Sequence, residues 1–387
     1  MSSDQVINTV TASTSSSWWI STVTWLFWRS TQISVVLGSV VATLLYFKQE
    51  SLLYFPEIGG IPRRPDGNPR KYRSPSEHQV NFEDVKIPCS DGVQIHAWLM
   101  LRTQPGQANP LPTFVFFHGN AGNIGLRLPN ALQMMQYLNV NVLLVEYRGY
   151  GNSDSVSPNE SGLKLDAQAA LNFVKNHPIL DSNKIFLFGR SLGGAVAFSL
   201  AEYAQQNQIP VAGVIVENTF TSIPAMVDHL MPFIAPLKGL ILKMKWDSEV
   251  IVSTLQCPVM YLAGGADQLV PHSHMSTLHR LTQQSKLTKM HVVPNGTHNE
   301  TWIQGGQDYW MAIRSFLAGA IEANSKFPMA GETISAATTS AASSSDFAAA
   351  SSSSSIPIMP NRLFGMVKEA VQGDMNKIDS ESSKKKL

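Results

Sequence analysis

The chain has 387 residues, 44% of them hydrophobic and 9% aromatic, enough to bury the core of one large domain with appendages or of two modest ones. A formal net charge of +1 excludes a global basic field of the kind that draws proteins onto nucleic acid, so no nucleic-acid partner is expected. Only two cysteines occur, Cys89 and Cys257; they exclude a disulfide framework, lack metal-ligand spacing, and read as buried thiols beside apolar runs.

In chain order, the first 48 residues open polar and Ser/Thr-rich and turn apolar at Trp18. Trp18–Trp28 carries tryptophans suited to a membrane interface. The best spanning window is Ile33–Phe47; Arg29 and Lys48 bracket eighteen uncharged residues around it, near the lower limit for crossing a bilayer as a helix. No basic region opens the chain and the apolar part begins late, so a retained single-pass anchor at about 30–47 is expected rather than a cleaved signal. Residues 49–78, rich in Pro, Gly and Arg, read as an irregular linker lying near the membrane.

Residues 79–323 form the folded part. Strand-length apolar runs recur at Val93–Leu99, Thr113–Phe117, Val142–Val145, Lys184–Phe188, Val211–Val216, Val259–Leu262 and Met290–Val293. Helical spacing separates most of them, as at Gly162–Lys175 and Leu192–Gln205. Continuous apolar strands alternating with helices predict an α/β domain: a mostly parallel central sheet with helices on both faces. An apolar insertion at about 223–246, between two strands, reads as a small cap. Residues 324–387 are a Ser/Ala-rich tail that cannot bury enough apolar surface to fold, with a short amphipathic pattern at Arg362–Ile378 and a basic end.

The chemistry centres on G-R-S-L-G at Gly189–Gly193, between the strand K-I-F-L-F and an Ala-rich helix. A serine on such a tight turn projects its hydroxyl from the sheet edge, and the flanking glycines remove side chains that would clash across the turn. A serine hydroxyl needs a base, and the base needs a carboxylate to fix its tautomer. Downstream, Asp267 and then His298 each follow a strand, where the loops of a parallel sheet converge. Ser191, Asp267 and His298 are therefore the candidate catalytic residues. Glu217 is a rival acid; His272, His274 and His291 are rival bases, the first two as exposed helix-start residues and the third inside a strand. The oxyanion of an acyl intermediate calls for the backbone N–H of Leu192 and a second from H-G-N-A-G-N, at Asn120 or Ala121. His118 there reads as a loop-shaping residue, and E-Y-R-G-Y-G-N-S at Glu146–Ser153 as a structural turn, since it lacks the Lys-Ser/Thr of a phosphate loop. No cofactor or metal is expected: no dinucleotide fingerprint follows the first strand and no H-E-x-x-H occurs.

The ordered set F-F-H-G-N-A-G-N, V-E-Y-R-G-Y-G-N-S, G-R-S-L-G-G-A-V-A, V-E-N-T-F-T-S-I, G-G-A-D-Q-L-V-P and G-T-H-N-E-T-W resembles the α/β-hydrolase domain-containing protein 13 and bud-emergence family, over about Leu52–Leu317. The resemblance implies an α/β-hydrolase fold and a serine hydrolase anchored in the endoplasmic reticulum or another endomembrane. It implies that Ser191, Asp267 and His298 occupy the family's triad motifs. The tail lies outside it.

An apolar cap beside an anchor points to lipid-like esters or thioesters, or acyl groups on proteins. Signals for the side of the membrane oppose one another. Lys48, Arg63, Arg64, Arg70, Lys71 and Arg73 follow the anchor and favour a cytosolic domain. The glycosylation sequons at Asn159, Asn295 and Asn299, with the family resemblance, favour a lumenal one. The alternatives from other classes are a catalytically inactive scaffold in membrane organisation or cell polarity, and a serine peptidase; the intact Ser–Asp–His order weighs against the first and the absence of a substrate-selecting module against the second.

Overall fold

A computed structural model describes residues 14–326 apart from residue 105, with side chains from Trp18 onward. The expected tail beyond residue 326, with its amphipathic pattern and basic end, lies outside the described residues.

The chain enters through α1 (Thr14–Leu53), then pairs β1 (Asn81–Pro88) with β2 (Gln94–Leu101) as an antiparallel hairpin. After it come β3 (Thr113–Phe117), α2 (Leu128–Leu138), β4 (Asn141–Glu146), α3 (Glu160–Lys175), β5 (Ile185–Arg190), α4 (Leu192–Gln206) and β6 (Gly213–Glu217). The cap supplies α5 (Ile223–Leu230) and α6 (Lys238–Ile241), and the fold closes with α7 (Ser248–Val252), β7 (Val259–Gly264), α8 (His272–Leu281), β8 (Thr288–Val293), α9 (Thr301–Gln304) and α10 (Gly306–Lys326). The sheet runs β1-β2-β4-β3-β5-β6-β7-β8, antiparallel at its first two pairings and parallel from β4 onward.

Every strand expected from the apolar runs is present. The hairpin strand β1 is the addition: N-F-E-D-V-K-I-P interleaves charges with apolar residues and is only partly buried, so it has no continuous apolar run to betray it. The inner strands are buried on both faces, and alternate residues part to opposite sides. On β3, Val115 and Phe117 join Val196, Ala197 and Val216 on one side. Phe114 and Phe116 join Phe188, Ile215, Leu128 and Phe316 on the other. Each of the Val, Leu, Ile and Phe side chains adds roughly 1.5–3 kcal/mol by leaving water.

Two expectations at the N-terminus are revised. α1 is one helix of 40 residues that contains the expected anchor at about 30–47 and extends beyond it at both ends, past the expected boundary at residue 48. No proline interrupts it. Trp18–Leu53 is long and apolar enough to cross a membrane. Second, the segment after it is irregular but belongs to the domain. Tyr54, Ile58, Ile61 and Tyr72 are buried, Arg63 donates to the Ser153 carbonyl at 2.8 Å, and Asn68 and Asn123 exchange two amide hydrogen bonds at 2.8 and 3.0 Å. Packing of these residues, not backbone periodicity, orders the segment.

Candidate active site

Ser191 joins β5 to α4 with φ 53° and ψ −121°, a conformation an L-residue holds at a cost of order 1–3 kcal/mol. Its neighbours fix it there. The Ser191 N–H donates to the Glu217 carbonyl at 2.9 Å, and its carbonyl accepts from Thr219 Oγ1 at 2.8 Å. The glycines are steric necessities: a Cβ at Gly189 would lie 2.1 Å from the Gly193 carbonyl oxygen, and one at Gly193 would lie 2.0 Å from the Phe117 oxygen.

The structure brings the three candidate catalytic residues together. His298 Nε2 is 3.0 Å from Ser191 Oγ, and His298 Nδ1 is 2.8 Å from Asp267 Oδ2. Asp267 sits in the turn after β7, where its Oδ1 accepts the amides of Leu269 and Val270, both at 2.9 Å. That arrangement aims Oδ2 at the imidazole. All three side chains are nearly closed to solvent, His298 being 11% exposed.

The loop carrying His298 is held by a residue that sequence reasoning did not single out. Asn218, directly after β6, donates to the His298 carbonyl at 3.0 Å and to Thr301 Oγ1 at 3.0 Å, and accepts the Gly264 amide at 2.7 Å. It thereby ties β6, the end of β7 and the histidine loop in one buried node. The only signal was an Asn at a strand end within V-E-N-T. Because a displacement near 1 Å costs about 100-fold in rate, Asn218→Ala is expected to lower kcat by about 10–100-fold while leaving KM little changed. Steady-state kinetics on a soluble ester checks this positioning role, and a rise in KM alone would contradict it.

The rivals are placed elsewhere. Glu217 is fully buried and committed to Arg190 Nε, at 2.7 Å, and to the Tyr309 hydroxyl, so it has no contact with His298. His291 lies in β8, as read, with its pKa lowered by burial. The expected exposure of His272 and His274 is corrected: His272 is half-buried and His274 buried. His274 lies on the face of α8 that packs inward with Met275 and Leu278, and its Nδ1 takes the Thr221 amide at 3.2 Å.

The candidate oxyanion loop runs beside Ser191, with the Cβ position of Gly119 3.8 Å from Ser191 Cβ. The amides of Leu192, Asn120 and Ala121 take part in none of the turn, loop or cap backbone hydrogen bonds among the described residues. The same loop is clasped by the exit of α1. Phe55 donates to the Asn120 carbonyl at 2.9 Å, Gly122 donates to the Phe55 carbonyl at 3.0 Å, and Asn120 Nδ2 reaches the Leu53 carbonyl at 3.0 Å. Tyr150 adds a hydroxyl to the Asn120 carbonyl at 2.7 Å. The Glu146–Ser153 segment is a structural turn: Glu146 accepts the amides of Ile124 and Asn152, and a Cβ at Gly151 would fall 1.8 Å from its carboxylate.

His118 shapes this loop, with Nδ1 2.7 Å from the Gly119 carbonyl. Burial, with the Arg127 guanidinium nearby, pushes its pKa from 6.5 down to about 3. Between those values the unfolded chain binds a proton that the folded protein refuses. Stability is therefore whole above pH 6.5 and falls as pH drops toward 3, by about 1.4 kcal/mol per pH unit for this one group. His274 and His291, also lowered by burial, act in the same direction. Melting temperatures at pH 7 and pH 5 for the parent and His118→Gln are expected to converge at the lower pH; an equal loss in both would contradict the assignment.

The sequons differ in setting. Asn295 is exposed in the turn after β8, Asn299 is half-buried next to His298, and Asn159 caps α3 with its Oδ1 accepting the Gly162 amide at 2.8 Å.

The strand order, the strained Ser191 turn and the strand-end positions of Asp267 and His298 define an α/β hydrolase. Residues 108–250 match the family described as Serine aminopeptidase, S33. The fold is shared with the Pyrococcus furiosus esterase Pf2001, with a TM-score of 0.53, 17% identity, and coverage of 67% of this chain and 99% of that one. It is also shared with an α/β hydrolase from Vibrio vulnificus, with a TM-score of 0.54, 18% identity, and coverage of 72% and 93%. Among sequences, the Bem46 protein of Schizosaccharomyces pombe is 35% identical over 286 residues, covering 74% of this chain and 91% of its own. The α/β hydrolase domain-containing protein WAV2 of Arabidopsis thaliana is 34% identical over 294 residues, covering 72% and 91%. A Saccharomyces cerevisiae protein described as an uncharacterized membrane protein is 32% identical over 285 residues, covering 73% and 93%. The chain belongs to the α/β-hydrolase family that contains Bem46 and WAV2.

Proposed function

We propose that this protein is a single-pass, membrane-anchored serine hydrolase that cleaves carboxylic esters or thioesters with lipid-like or protein-bound acyl groups. The observation that carries the reading is the continuous Ser191–His298–Asp267 relay, with contacts of 3.0 and 2.8 Å. Ser191 Oγ attacks the acyl carbonyl while His298 Nε2 accepts its proton, and Asp267 stabilises the imidazolium. The oxyanion is received by the amide of Leu192 and by that of Asn120 or Ala121. His298 returns the proton to the departing alcohol or thiol, leaving an acyl-serine. Water, deprotonated by the same imidazole, then releases the acid and restores the serine.

The anchor and the cap favour an apolar acyl chain. α1 is apolar enough to span a bilayer, and Met226, Met244 and Trp246 of the cap share one apolar cluster with Leu192. The family resemblance favours the endoplasmic reticulum or another endomembrane. The test is hydrolysis by the full-length chain in detergent micelles, across acetyl, butyryl and palmitoyl esters and thioesters. The expected result is kcat/KM rising with acyl length. Turnover of acetyl esters with none of palmitoyl esters would overturn the lipid-like substrate and leave a short-chain hydrolase.

A further inference from the structure

The cap has a second face. Its inner residues Met226, Met244 and Trp246 are buried, yet Phe233 is 79% and Leu240 77% exposed, with Leu230 and Leu237 also open. A cluster of large apolar side chains on one short segment marks an interaction surface rather than scattered surface residues. What covers it is indicated by its neighbour. α6 packs on α1, and on the C-terminal half of α1 Ala42 and Leu45 are half-buried and Gln49 is buried, spaced three and four residues apart along one helix face. Gln49 fastens the contact: its Nε2 donates to the Ile241 carbonyl at 3.2 Å, and its Oε1 accepts the amides of Lys243 and Met244 at 2.8 and 3.2 Å.

We infer that the outward face of the cap, Leu230–Leu240, lies in the interfacial layer of the same bilayer that α1 crosses. The depth follows from helix geometry. The uncharged stretch between Arg29 and Lys48 rises about 27 Å at 1.5 Å per residue, close to the hydrocarbon thickness of about 30 Å. Ala42 stands about 9 Å below Lys48 on that scale, so α6 is held within the outer ~10 Å, the depth at which interfacial helices lie. The charges agree. Lys243 Nζ stands 4.0 Å from the Tyr46 ring centroid and 5.2 Å from that of Phe47, an aromatic and basic pairing suited to the lipid boundary. Lys238 is paired with Asp228. One small element thus meets lipid on one side and shares a core with the nucleophile helix on the other, which places the route for an acyl chain at the membrane surface. The inference rests on the proposed anchoring of α1.

The test uses the full-length chain in phosphatidylcholine vesicles, with bimane attached singly at Phe233→Cys, Leu240→Cys, Val36→Cys within α1, or Met311→Cys on the opposite face of the sheet. Cys89 is buried but Cys257, read from the sequence as a buried thiol, is half-buried; desolvation raises the pKa of both thiols, and the unsubstituted chain gives the blank for any labelling at Cys257. Exchanging the lipid for one brominated on its acyl chains is expected to quench positions 36, 233 and 240 and to spare 311. Quenching at 36 without 233 and 240 overturns the inference while leaving the anchor in place. No quenching at 36 overturns the anchor and the inference with it. Blue-shifted but unquenched emission at 233 and 240 marks a protein partner, such as a second copy, on this face and overturns the lipid assignment. Quenching at 311 as well shows nonspecific adsorption and also overturns it.

Discussion

Asp267→Asn is expected to lower kcat by about 10,000-fold with the fold intact and KM close to its parent value. The size follows from the tautomer rather than from a lost contact. The amides of Leu269 and Val270 both donate to Oδ1, so the substituted side chain keeps its orientation and turns its new NH2 group toward His298 Nδ1. Two donors cannot face one another. The imidazole responds by carrying its proton on Nε2, the atom 3.0 Å from Ser191 Oγ, and a protonated Nε2 cannot accept the serine's proton. His298→Ala removes the base altogether and is expected to cost at least as much. Single-turnover kinetics on a soluble ester, with circular dichroism to confirm folding, measures both variants. A loss under tenfold in either would mean that the relay is not used.

The second large effect is on folding. Gly193→Ala is expected to destabilise the domain by more than about 4 kcal/mol, a large share of the 5–15 kcal/mol that holds a typical domain together. The added Cβ would fall 2.0 Å from the Phe117 carbonyl oxygen and 2.7 Å from that of His118. Both are main-chain atoms at the end of β3, in the middle of the sheet, and cannot swing aside as a side chain would. Gly239→Ala provides the contrast. Nothing lies within 4 Å of its Cβ position, and it sits in the helical turn of the cap. It is expected to leave stability unchanged or raise it by up to about 1 kcal/mol. Thermal unfolding of the two variants against the parent decides between a steric requirement at the elbow and a general sensitivity of the chain to lost glycine.

Much of this architecture was legible in the residues because the doubly covered sheet writes itself as continuous apolar runs, and the candidate site residues lie three to five positions past the ends of those runs. Ser191, Asp267 and His298 were singled out that way, and the structure brings them into one hydrogen-bonded chain. Where the sequence misled, the determining force was packing between distant segments. The Pro- and Arg-rich stretch after α1 carries no periodicity, yet Tyr54, Ile58, Ile61 and Tyr72 bind it to the domain, and Phe55 clasps the candidate oxyanion loop. Asn218 gathers the ends of β6 and β7 and the His298 loop through one amide side chain, which no spacing rule reveals. His274 reads as a polar helix start and is buried because α8 turns that face inward. β1 escaped notice because a hairpin edge strand tolerates charges on its open side. Between Asn120 and Ala121 the residues offered no choice, and the structure sets both on the strip that Phe55 holds beside Ser191.

The most direct test is covalent. The full-length chain and its Ser191→Ala variant are treated with a fluorophosphonate, and the site of labelling is read by peptide mass spectrometry. A serine activated by His298 is expected to take the label on the peptide containing Ser191 and nowhere else, and the variant is expected to take none. A folded parent chain that takes no label, or a Ser191→Ala variant labelled as well as the parent, would contradict the assignment of Ser191 as the nucleophile.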